Sequence, residues 1–181
     1  MITVVGSVNL DTVADVDQIP RPGETIVANR STEHHGGKGA NQAVAAARLG
    51  HPVTFVGAVG SDEAGTKLID GLQAEGIDTS GVMTIDGPSG TAFITVDGRG
   101  ENMIVVSSGA NTAFALDDTA REVIRSADVV LSQCEIPVEV ISEAFQHTEG
   151  AFILNAAPAT ALPTSILVGS DVLIVNEHEL R

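Results

Sequence analysis

The sequence predicts an α/β fold, a doubly wound, mainly parallel sheet carrying a small antiparallel β lid. Three observations carry this reading. Five short runs of β-branched and other apolar residues lack polar interruptions, as strands covered on both faces do. Helix-like segments separate several of them, which implies βαβ crossovers. Two further regions alternate polar and apolar residues with no helix between, the mark of half-exposed strands in an antiparallel arrangement.

Taken in order, "ITVV" (2–5) is the first strand. "ANQAVAAARL" (40–49) is a helix that stops at Gly50, and "VTFVGAV" (53–59) is the next buried strand. "DEAGTKLIDGLQAE" (62–75) has acids in its first turn, Leu68 and Leu72 one turn apart, and Gly76 past its end. "DDTAREVIRSA" (117–127) opens on aspartates, and "PVEVISEAFQH" (137–147) has Pro137 in its first turn and Gly150 after it. These are helix start and stop signals. "DVVLSQ" (128–133), "AFILN" (151–155) and "DVLIV" (171–175) complete the buried strands. Residues 12–35 and 79–107 break the rhythm with period-two segments, and "DGRGEN" inside "TAFITVDGRGENMIVV" is a hairpin signal. The lid strands are placed at about 12–35 and 90–107, inserted in one domain spanning 1–181; a plain surface hairpin is the alternative. After "DVLIV", Asn176 reads as an N-cap with five residues beyond it. One helical turn does not sustain itself, so the chain reads as part of a longer protein.

Bulk properties narrow the function. A chain of 181 residues, 43% hydrophobic and 18% charged, can bury one sizeable core. Its net charge of -15, from 9 Lys and Arg against 24 Asp and Glu, argues against nucleic acid, which needs clustered cations. Nothing resembles a signal peptide or a membrane span, and one cysteine suits a reducing cytoplasm. Cys134, inside "VVLSQC", reads as a small strand residue before it reads as a nucleophile.

The stretch "EHHGGKGANQA" carries the most chemistry. It fails the phosphate-loop pattern, because the spacer before Gly-Lys is missing and Gly39 follows Lys38 where Ser or Thr belongs. It fails the dinucleotide pattern at Gln42. What remains is close backbone approach at Gly37 and Gly39, free N–H groups at a helix start, and the donors Lys38 and Asn41. A packing turn and a ligand loop both satisfy that much. Elsewhere, polar residues cluster past strand ends: Asn9 and Asp11 after the first strand, then Glu135, Asn155 and Asn176. Open parallel sheets bind ligands beyond these ends, and carboxylates with amides suit neutral hydroxyls. Each residue alone could equally be a cap or turn; together they point to a pocket. His34 and His35 are neighbours on a period-two segment, so their rings face apart and do not suit one metal ion.

"GGKGANQAVAAARLG", with "GSVNLD", "RPGET", "VGAVGSDEAG", "GAN" (109–111), "NAAPA" (155–159) and "VNEHE" (175–179), resembles the ribokinase, or PfkB, family of carbohydrate kinases, in the family's order and across the chain. The resemblance implies a ribokinase-like fold and transfer of phosphate from ATP to a sugar, with D-ribose as the acceptor. It implies that Asn9, Asp11, Gly37, Lys38, Gly39, Asn41 and Glu135 bind the sugar. Asn176 would lie near the nucleotide phosphates and Glu179 near a magnesium ion. Potassium activation and a homodimer paired through the lid are also implied. Ala156 stands where family members often carry proline, which implies a local stiffness change. The family's Gly-Ala-Gly-Asp segment, which supplies the anion hole and the catalytic base, is absent, so this chain would hold the acceptor half and not turn over alone. Two rivals remain: a family kinase for fructose, 2-keto-3-deoxygluconate or adenosine, and a non-catalytic sugar-binding homologue.

Overall fold

Ten strands and five helices follow from this pattern in a computed structural model that describes residues 1–177 and Glu179. The main sheet holds β1 (Ile2–Val5), β4 (Val53–Gly60), β5 (Asp78–Ile85), β8 (Val129–Gln133), β9 (Ala151–Asn155) and β10 (Val172–Ile174). Their order is β10-β9-β8-β1-β4-β5, and every pairing is parallel. The chain leaves β1 outward to β4 and β5, then returns to β8 and runs the other way. The reversal falls between β1 and β8. That gap is the topological switch point, where crossover loops part and leave a crevice.

Helices cover both faces except at β10, whose Val172, Leu173 and Ile174 are 41–47% exposed and not buried as their apolar run suggests, because β10 is an edge strand. Val4, Phe55 and Val59 face α1 (Lys38–Arg48) and α2 (Glu63–Ala74) in one core that also holds Ala43, Leu68 and Leu72. Val5, Val56, Val130, Phe152 and Leu154 face the other way, into a core with Ile124 of α3 (Asp118–Arg125), Ile141 of α4 (Val138–His147) and Ile166 of α5 (Thr164–Gly169). Val4 and Val5 enter different cores because successive strand residues point to opposite faces. Gly50 and Gly76, at φ of 87° and 76°, stop the first two helices as their positions predicted. Asp62 caps α2 by accepting from the Gly65 N–H at 2.8 Å, and it also accepts from the Ser89 hydroxyl and N–H. Burial works against its charge, yet these hydrogen bonds hold the carboxyl below its usual range.

The second sheet holds β2 (Asn9–Val16), β3 (Arg30–Gly36), β6 (Gly90–Asp97) and β7 (Asn102–Ser107), in the order β3-β2-β6-β7. It corrects the sequence reading in three ways. The sheet is mixed: β2–β3 and β6–β7 are antiparallel hairpins, but β2 and β6 pair in parallel. Both strands leave the main layer at the same end, so they run side by side. Residues 78–85 belong to the main sheet as its edge strand and not to the lid. The lid begins at Asn9, earlier than residue 12, so Asn9 and Asp11 lie on a lid strand and not in a loop past β1. The "DGRGEN" turn does close β6 onto β7, with Asp97 accepting from the N–H groups of Arg99 and Glu101. Among the described residues, no helix is long and apolar enough to cross a membrane.

Candidate functional site

The glycine loop is shaped by how close α1 comes to β1. Gly37 precedes α1 with φ of 87°, a left-handed conformation that L side chains resist. A Cβ on Gly39 would stand 2.6 Å from Ser7 N, 2.7 Å from Ser7 O and 2.8 Å from Gly6 C, all backbone atoms. The absence of both side chains lets the Ala40 N–H reach Ser7 O at 2.9 Å and points the first N–H groups of α1 into the switch point. There the Lys38 N–H donates to Glu135 Oε2 at 2.9 Å, and the Lys38 ammonium lies 3.9 Å from Glu135 Oε1. Ser7 donates to the same Oε2 at 2.6 Å while accepting from the Gly39 N–H at 3.3 Å. Glu135 is thus a fixed, half-buried carboxylate at the end of β8.

Lid strand β2 brings the other half. Asn9, Asp11 and Val13 share one face, opposite Gly36, His34 and Thr32 of β3 and Gly90, Ala92 and Ile94 of β6. Asn9 is buried, and its Oδ1 accepts from Asn111 Nδ2 at 2.8 Å. Asn111 also clamps Val8 through both backbone groups, at 2.9 and 3.1 Å. Asp11 leans over Gly36, where any side chain would run into its carboxyl. Its Oδ1 is buried and has no hydrogen-bond partner. Burial pushes the Asp11 carboxyl up, Glu135 adds to the rise, and His34 partly offsets both. An acceptor held dry and unpartnered beside a second carboxylate is suited to hydroxyl donors.

These elements enclose a cavity of about 420 Å³, lined by Ser7, Asn9, Glu135 and Pro137 below and by Val106 of β7 above. A volume of this size takes a small polar molecule. Asp11 and residues 37–39 are not part of that lining, the loop touching it through the Lys38 bond to Glu135, and Asn41 of α1 stands elsewhere. One turn into that helix, it borders a separate cavity of about 450 Å³ with Glu33, His35 and Arg48. Sequence reasoning missed Ser7, Asn111 and the exposed His34 on the Asp11 face of the lid. The register explains His34: it pairs opposite Asp11, while His35 pairs opposite Leu10 and packs on Gly71 of α2. Cys134 is buried beside the cavity, and burial together with Glu179 pushes its thiol up, which suits a packing residue rather than a nucleophile. Asn176 and Glu179 bind each other reciprocally, N–H to side-chain oxygen, at 2.9 Å both ways, which is a capping-box arrangement. Among the described residues, no group of three or more His, Cys, Asp or Glu side chains is placed to hold a metal ion.

Comparison with known proteins agrees with this fold. The family profile described as pfkB family carbohydrate kinase matches residues 1–181. The chain is 42% identical to the ribokinase of Bacillus subtilis, covering 98% of this chain and 62% of that protein. It is 43% identical to a bifunctional ribokinase/ribose-5-phosphate isomerase A of Fructilactobacillus sanfranciscensis, covering 98% of this chain and 34% of that one. Among solved structures, ribokinase from Thermotoga maritima superposes with a TM-score of 0.92 at 38% identity, covering 99% and 60% of the two chains. Arabidopsis thaliana ribokinase complexed with ribose and ATP gives 0.89 at 34% identity, covering 99% and 61%. The chain therefore spans about three fifths of the length of the ribokinases it matches. With the family profile matched from end to end, the chain belongs to the pfkB family of carbohydrate kinases.

Proposed function

We propose that this chain is the acceptor-binding part of an ATP-dependent kinase that converts D-ribose to D-ribose 5-phosphate. The observation that carries the reading is that Ser7, Asn9 and Glu135 line one cavity, with the Lys38 N–H held on Glu135 and an unpartnered buried oxygen on Asp11, two residues along β2 from Asn9. In this reading Asp11 and Glu135 accept from sugar hydroxyls, Asn9 donates and accepts, and the loop N–H groups and Lys38 fix the sugar's orientation. Asn41 reaches the sugar only through a turn of its side chain from the neighbouring cavity. Val106 and Ala92 of the lid cover the sugar and exclude water, so that the transferred group meets the acceptor and not solvent.

Asn176 and Glu179 form the nucleotide-facing edge. The Glu179 carboxylate, held by the Asn176 N–H, suits magnesium, which is commonly held by one or two carboxylates together with phosphates. A magnesium ion bound there would neutralise charge on the transferring phosphoryl group. Potassium activation is carried with the family reading, and no described residue is assigned to it. The catalytic base and most of the ATP site would come from sequence after Arg181, in the whole protein.

The test is ADP release by the whole protein with ATP, magnesium and one acceptor at a time. Ribose should give a kcat/KM at least about tenfold above fructose, 2-keto-3-deoxygluconate and adenosine, the discrimination expected when one mispaired polar contact is at stake. A different preferred acceptor moves the assignment within the family. Ribose binding without any ADP release would favour a non-catalytic sugar-binding protein.

The reading extends to a cytoplasmic homodimer paired through the lid. Phe93, Met103 and Val105 are 46–60% exposed on one face of β6 and β7, the face away from Asp11, an apolar cluster that a free surface does not need. Val105→Asp is expected to convert a dimer to monomers in sedimentation velocity. A wild-type protein that sediments as a monomer at micromolar concentration contradicts the pairing.

A further inference from the structure

We infer that Gln42 is a positioning residue, the middle link of a chain of side-chain amides that registers the sugar loop against the nucleotide-facing edge. The chain has three links. Gln133, at the end of β8, donates from Nε2 to Gln42 Oε1 at 2.6 Å. Gln42, on α1, donates from Nε2 to Asn155 Oδ1 at 3.2 Å. Asn155, at the end of β9, donates from Nδ2 to the Ile174 carbonyl of β10, also at 3.2 Å. Every link runs donor to acceptor in the same direction, so Gln42 and Asn155 each use both ends of the amide without conflict, and each link polarises the next.

What the chain joins gives it meaning. Gln133 lies two residues before Glu135, and Ile174 lies two before Asn176. Gln42 lies one helical turn after Lys38, on the same side of α1. The three main-layer elements that carry proposed site residues are therefore held by one continuous set of amides. The three amides are committed to one another and to the Ile174 carbonyl, so they act through other residues and not on substrate.

Gln133 also carries a feature that packing does not explain. It is fully buried, and its Oε1 has no hydrogen-bond partner. A methionine or leucine would fill the same space without leaving a polar atom dry. The amide is held from behind by Gly6, where any side chain would collide with that oxygen. A buried glutamine at this position is costly as filling and useful as a fixed donor.

The inference rests on the proposed kinase reading, and its test separates the two. In the whole protein, Gln42→Met keeps the side-chain length and removes both hydrogen bonds. The expected result is a fall in kcat of about tenfold, because small misplacements of reacting groups are costly, with KM for ribose changed by less than about threefold. Gln42→Glu, which still accepts from Gln133 but does not donate to Asn155, should recover part of the loss. The pair Gln133→Met and Asn155→Leu should be non-additive and together no worse than Gln42→Met. Unchanged kcat with a lowered melting temperature would overturn the inference and leave packing alone. A second readout does not depend on turnover: amide hydrogen exchange. Gln133→Met, or Gln42→Glu if that variant does not fold, should speed exchange at both residues 37–41 and 174–176. Unchanged exchange at both segments would overturn the inference whether or not ribose is phosphorylated, while wild-type protein inert toward every acceptor would overturn only the kinase reading.

Discussion

Gly39→Ala is expected to destabilise the protein by about 3 kcal/mol, at the upper end of overpacking costs. The added methyl group would meet three backbone atoms of Gly6 and Ser7 at 2.6–2.8 Å. No side chain can rotate to make room. Either α1 moves off β1, or the first strand bends. Moving α1 breaks the Ala40 to Ser7 bond and withdraws the Lys38 N–H from Glu135. For a domain of this size such a loss lowers the melting temperature by roughly 9 °C, and calorimetry or circular dichroism would read it directly. Ribose affinity should fall with it, since the loop that places Glu135 is displaced. A variant with wild-type melting temperature and affinity would show that α1 and β1 are not tightly apposed.

Asp11→Asn should have the second large effect, with two halves of opposite sign. Affinity for ribose should drop about a hundredfold, the scale of losing hydrogen bonds to a charged acceptor. KM for ATP should stay within about twofold, because Asp11 stands on the sugar side of the site. Stability should rise. The folded protein holds the Asp11 carboxyl above its ordinary pKa, through burial first and Glu135 second. A raised acid binds its proton more tightly when folded, so its ionisation costs stability as pH rises through the folded pKa. Below the unfolded value, near pH 4, both states are protonated and the cost vanishes. The variant should therefore melt above the wild type at pH 7, and the gap should close as the pH is lowered toward 4. A gap that widens toward acid would mean that Asp11 is stabilised as a carboxylate, against the geometry. Stability sacrificed at a binding site is a common trade.

The main sheet was legible because its strands are covered on both faces and read as unbroken apolar runs, from "ITVV" to "AFILN". Helix ends were legible from their glycines and caps. One element was placed in the wrong sheet and one escaped. β5, "DTSGVMTI", is an edge strand whose exposed positions carry polar residues, so it gives no apolar run. α5 spans only six residues, too few to show a helical period. The lid hairpins were legible one by one, but the parallel pairing of β2 with β6 joins segments some eighty residues apart, and no local signal encodes it. The same limit applies to the site. Asn9, Asp11 and Glu135 are polar residues that follow apolar runs in the sequence, which makes them visible even though Asn9 and Asp11 lie within β2. Ser7 and Asn111 work through partners 128 and 103 residues away. Their roles exist only once β1, β8 and the 3-10 turn at Gly109–Thr112 are brought together. Asn41 looked equivalent to Lys38 in sequence, yet three further residues of helix turn it toward the other cavity.

Crystals of the whole protein grown with ribose test the central claim most directly. The account predicts sugar density at the switch point, with hydroxyls within hydrogen-bond distance of Asp11 Oδ1 and of the Glu135 carboxylate, and with Val106 above the ring. Ribose found instead between α1 and α2, beside Asn41 and Arg48, or Asp11 left unpartnered with sugar bound, would contradict it.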